Sequence, residues 1–399
     1  MIPFTRIEAD SARRRGVVAL QVAVSSVVLL GFAALTIDMG RLYVARGDLQ
    51  RSADAAALAG ASVYTTDLMM AVRQGLGGEG AIGYVVDLAE TKASEYALVN
   101  RTLGEPTSID SNDLVTGWIN LGSGNDTIHT NPVPKDYNAV GVYVKRTDGG
   151  TNGPVNLLFA PIFGKPIGET TALAVAVFDD RFSGFTLNGF GAAMLPFTVS
   201  EQAFEQDLAN GGDQYGYDSP SETVYSGSDG IREIRLYPFP LSGSGYGEGD
   251  GNFGVLNIGT GNQGLQALNH QIVSGVPPED MVMEVGTSDM TFYDDGGNPV
   301  TYEITGSPGL DGGLAASIES LEGQVIGFFL HNGVILSGAN AIYTITQVRF
   351  GRVMDLKLTG PPDQRGFYVQ PVTYDGAGVS IDVNAPSTNG LIGKVVLFK

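Results

Sequence analysis

The chain has 399 residues with 23 basic and 43 acidic side chains, a net charge of −20, and 43% hydrophobic residues. That length suggests two domains, and that apolar content supplies real cores and excludes wholesale disorder. The acidity argues against nucleic acid, which needs a basic face, and the lack of cysteine excludes disulfides, thiolate metal sites and cysteine nucleophiles.

The first element is the most legible. Residues 16–37, GVVALQVAVSSVVLLGFAALTI, carry no charge over 22 positions. As a helix they span ~33 Å, enough for a ~30 Å hydrocarbon core. Arg13, Arg14 and Arg15 precede the run, so the positive-inside rule keeps the N-terminus in the cytoplasm and exports the chain beyond residue 37. Residues 1–60 hold seven basic and five acidic side chains, so a basic anchor precedes an acidic, solvated body. A cleaved secretory signal is the competing reading. Its apolar region would be shorter, about 7–15 residues, and the nearest small-residue site, at Ala57-Leu58-Ala59, lies far downstream. A buried core helix is the third reading, and it leaves the arginine triplet unexplained.

The helix is predicted to continue. Leu42, Ala45, Leu49, Ala53, Ala56, Gly60 and Val63 recur at spacings of three and four, with Arg41, Asp48, Arg51 and Asp54 on other faces. This shallow, Ala-rich stripe suits close packing, either on the chain's own domain or against copies or partners. Glycines between 75 and 83 then predict a hinge-like loop over 64–86. Asp87–Arg101 reads as a short helix, and Leu114–Asn120, Ala139–Lys145 and Thr171–Phe178 read as strands.

From Phe182 onward helix signals nearly vanish. Alternating runs at 231–239, 253–258, 281–285, 300–304, 325–330, 341–350, 353–358, 367–372 and 394–398 predict short strands. Leu265–Ser274 and Leu314–Leu321 read as short helices. The segments 207–230 and 242–251 read as polar, flexible connectors. The fold class is therefore α+β: a long N-terminal membrane-spanning helix, a small α+β domain, then a mainly antiparallel β domain, sandwich or barrel-like. The boundaries are a basic leader at 1–15, the spanning helix at 16–37, its amphipathic continuation at 38–74, the α+β domain at 75–181 and the Gly-rich β domain at 182–399.

Several features together resemble a known family. They are Arg15-Gly16 before the apolar run, Ile37-Asp38-Met39-Gly40-Arg41-Leu42-Tyr43, Leu49-Gln50, and Ala53-Asp54-Ala55-Ala56-Ala57-Leu58-Ala59-Gly60-Ala61. This pattern resembles the N-terminal region of TadG-like (TadE/TadG-like) proteins of the Flp, or tight-adherence (Tad), pilus-assembly systems. The resemblance is clearest over 13–61 and looser to about 180, through 139–146 and 154–164. It implies a pilin-like character for the α+β domain and a pseudopilin-like, exported component anchored in the bacterial inner membrane. It also marks a processing junction. Prepilin-type sites have Gly before the cut and Glu at the fifth mature position. Here Gly16 and Val17 flank the junction and the fifth position is Gln21. The metal motif Asp-x-Ser-x-Ser of longer relatives is missing, since Asp218-Ser219-Pro220-Ser221 has other spacing.

Local catalytic patterns are few. Gly259-Thr260-Gly261-Asn262-Gln263-Gly264 is a GxGxxG between a strand and a helix, but no βαβ succession comes after it, and it reads as a turn. His129, His270 and His331 lack ligand-spaced neighbours and read as surface or loop residues. Asp294–Asn298 reads as a hairpin turn rather than a Ca²⁺ loop. No enzyme activity, cofactor or metal is expected, although an envelope hydrolase with a non-local site is a third reading. The leading expectation is a minor pseudopilin-like accessory of a Tad/Flp-type pilus or secretion apparatus. It is single-pass, with its body in the periplasm or outside, and it self-associates through the N-terminal helix. The alternative is a membrane-anchored cell-envelope binding or adhesion module.

Overall fold

The computed structural model describes residues 8–78, 80–124, 127–187, 192–237, 252–259, 264–337, 340–359 and 365–398. A single helix runs from Glu8 to Ala61, 54 residues or about 80 Å. The expected continuation to 74 ends early for a local reason. The hydroxyls of Ser62, Thr65 and Thr66 bond back to the carbonyls of Ala59, Ser62 and Val63. Such bonds compete with helix propagation. The chain passes through a 3₁₀ turn at Ser62–Thr65, extends at Thr66, and starts a separate helix at Asp67–Arg73. That helix occupies part of the segment expected to be loop. The next helix, Ala81–Val99, also starts earlier than expected, and it buries Val85, Ala89, Ala93 and Ala97 in one row.

These helices cover a four-stranded antiparallel sheet in the order Leu114–Gly117, Ala139–Arg146, Thr170–Asp179, Lys394–Leu397. Alternation decides its faces. Val140, Val142, Val144, Ala172, Ala174 and Ala176 meet the helices, while Ala139, Val175 and Val177 pack with Ile119 behind. The fourth strand is a correction. Lys394–Leu397 was expected in the β domain, but it pairs with Ala176–Asp179 and closes the first sheet.

The second body is barrel-like. Ala193–Ser200, Phe253–Leu256, Tyr302–Pro308, Asn340–Lys357 and Val325–Ser337 pair antiparallel in that order. Val325–Ser337 then pairs in parallel with Ala193–Ser200 and closes the ring. By register Leu256, Ile304, Phe329, Tyr343 and Ile345 share one face, none more than 1% exposed, while Phe197 lies on the other face against Phe253 and Phe367. The Tyr343 ring lies over Gly254, where an added Cβ would come within 2.3 Å of it, so this strand requires glycine there. The second half of Asn340–Lys357 leaves the ring to pair with Gly366–Pro371, which pairs with Ile234–Tyr237.

Met281–Val285, expected as a strand, is instead the end of the helix Pro278–Val285. Its prolines at the start and Gly286 at φ +83° after its end are helix punctuation that outweighs a short apolar alternation. Phe182–Thr186, Ala193–Ser200, the helix Glu201–Asn210 and the hairpin Tyr215–Asp218/Thr223–Ser226 are elements the sequence reading missed. The connector 242–251 lies outside the described residues.

The short helix Asp67–Arg73 seams the two bodies. Met70 and Ala71 enter the second core. Arg73 donates to Thr373 Oγ1 (3.0 Å) and the Gly390 carbonyl (3.1 Å), and Asp67 pairs with Arg352 at 3.3 Å.

A buried carboxylate, Glu233, and a half-buried one, Asp207, give the second body a pH dependence. Burial pushes Glu233 up to about 7, against the opposing amides of Gln214 and Tyr215. Burial likewise pushes Asp207 up to about 6, against the Arg235 amide and charge. A carboxyl with a raised folded-state pKa stabilises the fold fully below its unfolded value near 4, and that stability is lost as pH rises through the folded value. Thermal stability should therefore fall between about pH 4 and 7, by on the order of 2 kcal/mol. Glu233→Gln should flatten the curve measured by calorimetry at pH 5 and 8, and an unchanged slope would refute the assignment.

Candidate functional site: the long helix

The long helix has two unlike halves. From Val17 to Ile37 every large apolar side chain is exposed, Leu29 and Leu30 at 68% and 67%. No other part of the described chain covers this stretch, which is long and apolar enough to cross a bilayer. One of its polar groups is satisfied internally: Thr36 donates to the Phe32 carbonyl at 2.8 Å within the same helix. Val17 and Gln21, two residues of the processing junction that the sequence resemblance implies, are exposed on this half. The side chains of residues 8–16, among them Arg13, Arg14, Arg15 and Gly16, lie outside the described ones.

The change comes at Asp38, one residue after the apolar run. This carboxylate is 4% exposed and turns inward. Its two oxygens accept from the amides of Leu158 (2.7 Å), Phe159 (3.1 Å) and Ala160 (2.6 Å). Burial raises its pKa, but these amides and the nearby Arg41 outweigh burial and hold it below the ordinary carboxylate value. The amides open a 3₁₀ turn, Ala160–Phe163, at the tip of a hairpin whose short strands are Val155–Asn156 and Ile167–Gly168. One turn along the helix, Leu42 fills the space over Gly168, where an added Cβ would come within 2.7 Å of it.

Beyond this latch the helix is buried in its own domain. Ala45, Leu49, Ala53, Ala56, Ala57 and Ala61 are fully covered. Gln50 donates to Asp54 (2.8 Å) and to the Leu173 carbonyl on the sheet (3.0 Å). Asp48 accepts from the Leu103 amide at 3.0 Å. Gly60 marks the closest approach of the two helices and the sheet: a Cβ there would sit 3.0 Å from Val140 and 3.1 Å from the Ala89 carbonyl. Gly40 faces open space, and nothing in the structure explains a glycine there. The Ala-rich stripe, open to either reading from its sequence, is thus covered by the chain itself, while Tyr43 and Val44 remain outside.

Among the described residues no three His, Asp or Glu side chains converge as a metal requires. Asp294 accepts from the amides of Gly296 and Asn298 and closes a tight turn. His331 is a correction: it is 3% exposed, bonds Thr198 at 2.9 Å and packs against Tyr343. Of the GxGxxG, Gly259 (φ +117°) and the helix-capping Gly264 are described, and residues 260–263 are not. The sequence reading missed the tip of the 155–168 hairpin. Its signal was the apolar set Leu158, Phe159, Ile162 and Phe163 between two prolines.

An uncovered apolar half-helix continuing into a half-helix buried in an α+β domain defines a class: a body mounted on its own spanning-length helix. Within that class, residues 16–63 match the family model described as Putative Flp pilus-assembly TadE/G-like. The match covers both halves of the helix and supports a component associated with Tad-type pili. No curated protein and no solved structure matches the chain.

Proposed function

We propose that the protein is a single-pass, exported accessory component of a Tad/Flp-type pilus or secretion apparatus. Its N-terminus is cytoplasmic, its 16–37 segment spans the inner membrane, and its body stands outside as a minor pseudopilin-like subunit. The observation that carries this reading is the division of one helix, inside the matched segment, into an uncovered apolar half and a buried half. The Asp67–Arg73 seam holds the barrel on the anchored domain, so the helix presents the whole acidic body to partners.

The test is the mature N-terminus, read by mass spectrometry from membrane and extracellular fractions. The expected start is Met1 or Ile2, or Val17 after prepilin-type processing, with the protein in membranes. A start at Val17 assigns it to the filament pathway despite Gln21, and an unprocessed start assigns it to a static accessory. A start near residue 60 overturns the anchor, and it would also strip Leu49, Ala53 and Ala57 from the first core.

A further inference from the structure

We propose that the 155–168 hairpin is a second membrane contact, whose tip seats in the lipid headgroup region beside the point where the long helix leaves the bilayer. This rests on the reading of 16–37 as the bilayer span.

Three observations carry it. The first is height. Gly168 at the hairpin base packs on Leu42, and Leu158–Ala160 near the tip bond Asp38. The hairpin therefore climbs the helix by about 6 Å toward the apolar run, and reaches the residue that ends it. The second is exposure. Ile162 and Phe163 are 78% and 75% exposed and Leu158 is 59% exposed, an apolar cluster that water would disfavour. Lys165 is exposed next to them, a cation suited to anionic headgroups. The third is backbone satisfaction. The amides of Leu157, Ile162, Gly164 and Lys165 donate to carbonyls inside the hairpin, and those of Leu158, Phe159 and Ala160 donate to Asp38. Pro161 and Pro166 have no N–H. Lipid demands that backbone donors be satisfied within the chain, and each of the amides named is. Those satisfied donors, the height of the tip beside the apolar run and the exposed Lys165 commit the surface to the membrane rather than to a second copy.

The cysteine-free sequence makes the test clean. Full-length Phe163→Cys, with Ile162→Cys as a second position, is labelled with a fluorophore and reconstituted in phosphatidylethanolamine–phosphatidylglycerol vesicles carrying a headgroup-level nitroxide quencher. Val28→Cys, read in parallel vesicles whose nitroxide sits at mid-chain depth, reports the span, and Tyr225→Cys, on the exposed hairpin of the second body, reports water. Position 163 or 162 should be quenched about twofold or more above position 225, as for a group within ~10 Å of the headgroup boundary. Quenching at 28 with 162 and 163 both equal to 225 overturns the hairpin contact and leaves the span standing. Loss of quenching at 28 as well overturns both. Labels at 162 and 163 that ignore the lipid quencher but become shielded only as protein density rises would place a second copy on the tip and overturn the proposal.

Discussion

Asp38→Ala should release the hairpin from the long helix and lower the stability of the first body by about 3 kcal/mol. A charged acceptor contributes about 1.5–3 kcal/mol per hydrogen bond, and the shared bonds here are not additive. Asp38 is the one acceptor for three successive amides, and with alanine those amides lose their partner beside the helix. Asn in its place keeps one acceptor oxygen but turns a donor toward amides that are donors themselves, so Asp38→Asn should lose most of the same stability. Hydrogen exchange at 158–160 should rise in both variants while exchange in the barrel stays fixed. Unchanged protection at those amides would show that the hairpin holds its place without the latch. The pH sense is opposite to that of Glu233. A carboxyl held low contributes stability above its unfolded value, near 4, and loses it only as pH falls through the lower folded value.

Asp38 also shows what a sequence can and cannot display. The residue stood out because it ends an uncharged run and belongs to a family pattern. Its partners are 120 residues away, and nothing local in Leu158-Phe159-Ala160 announces that their amides will converge on a carboxylate. The apolar tip has the same history. Leu158, Phe159, Ile162 and Phe163 would suit one face of a helix, and only their docking at Asp38 puts them outside and beside the apolar run. The long helix was legible because both its determinants are local: absence of charge, then three-and-four spacing of small residues. Its end at Ala61 depended on hydroxyls bonding backward, which a hydrophobic pattern does not register. In the barrel, strands such as Phe253–Leu256 were visible as alternation between turns. The closure was not, because the parallel pairing of Ala193–Ser200 with Val325–Ser337 joins segments far apart in the chain. The return of Lys394–Leu397 to the first sheet is the extreme case, a four-residue strand whose partner lies more than 200 residues earlier.

The largest effect should come from charging the apolar half of the helix. Val24 and Val28 sit near the middle of the 16–37 run, one turn apart, too far from either end for both guanidinium groups to reach water easily. Each central arginine costs insertion about 2.5–3.5 kcal/mol, so Val24→Arg with Val28→Arg should cost about 6 kcal/mol, roughly four decades in partitioning. In a flotation assay with phospholipid vesicles the doubly substituted protein should stay at the bottom of the gradient while the parent floats. Its folded body should be intact, because no side chain from Val17 to Ile37 belongs to either core. The melting temperature separates the possible failures. If the variant unfolds, the apolar half serves the fold rather than the membrane. If it folds and still floats, binding resides elsewhere in the body. The hairpin tip alone should not sustain flotation: a few interfacial side chains give weak, reversible binding, whereas a spanning helix is effectively permanent. That asymmetry assigns the two contacts different work. On the proposed reading the helix would hold the protein at the membrane, and the hairpin, fixed through Asp38, would set the angle at which the body leaves it.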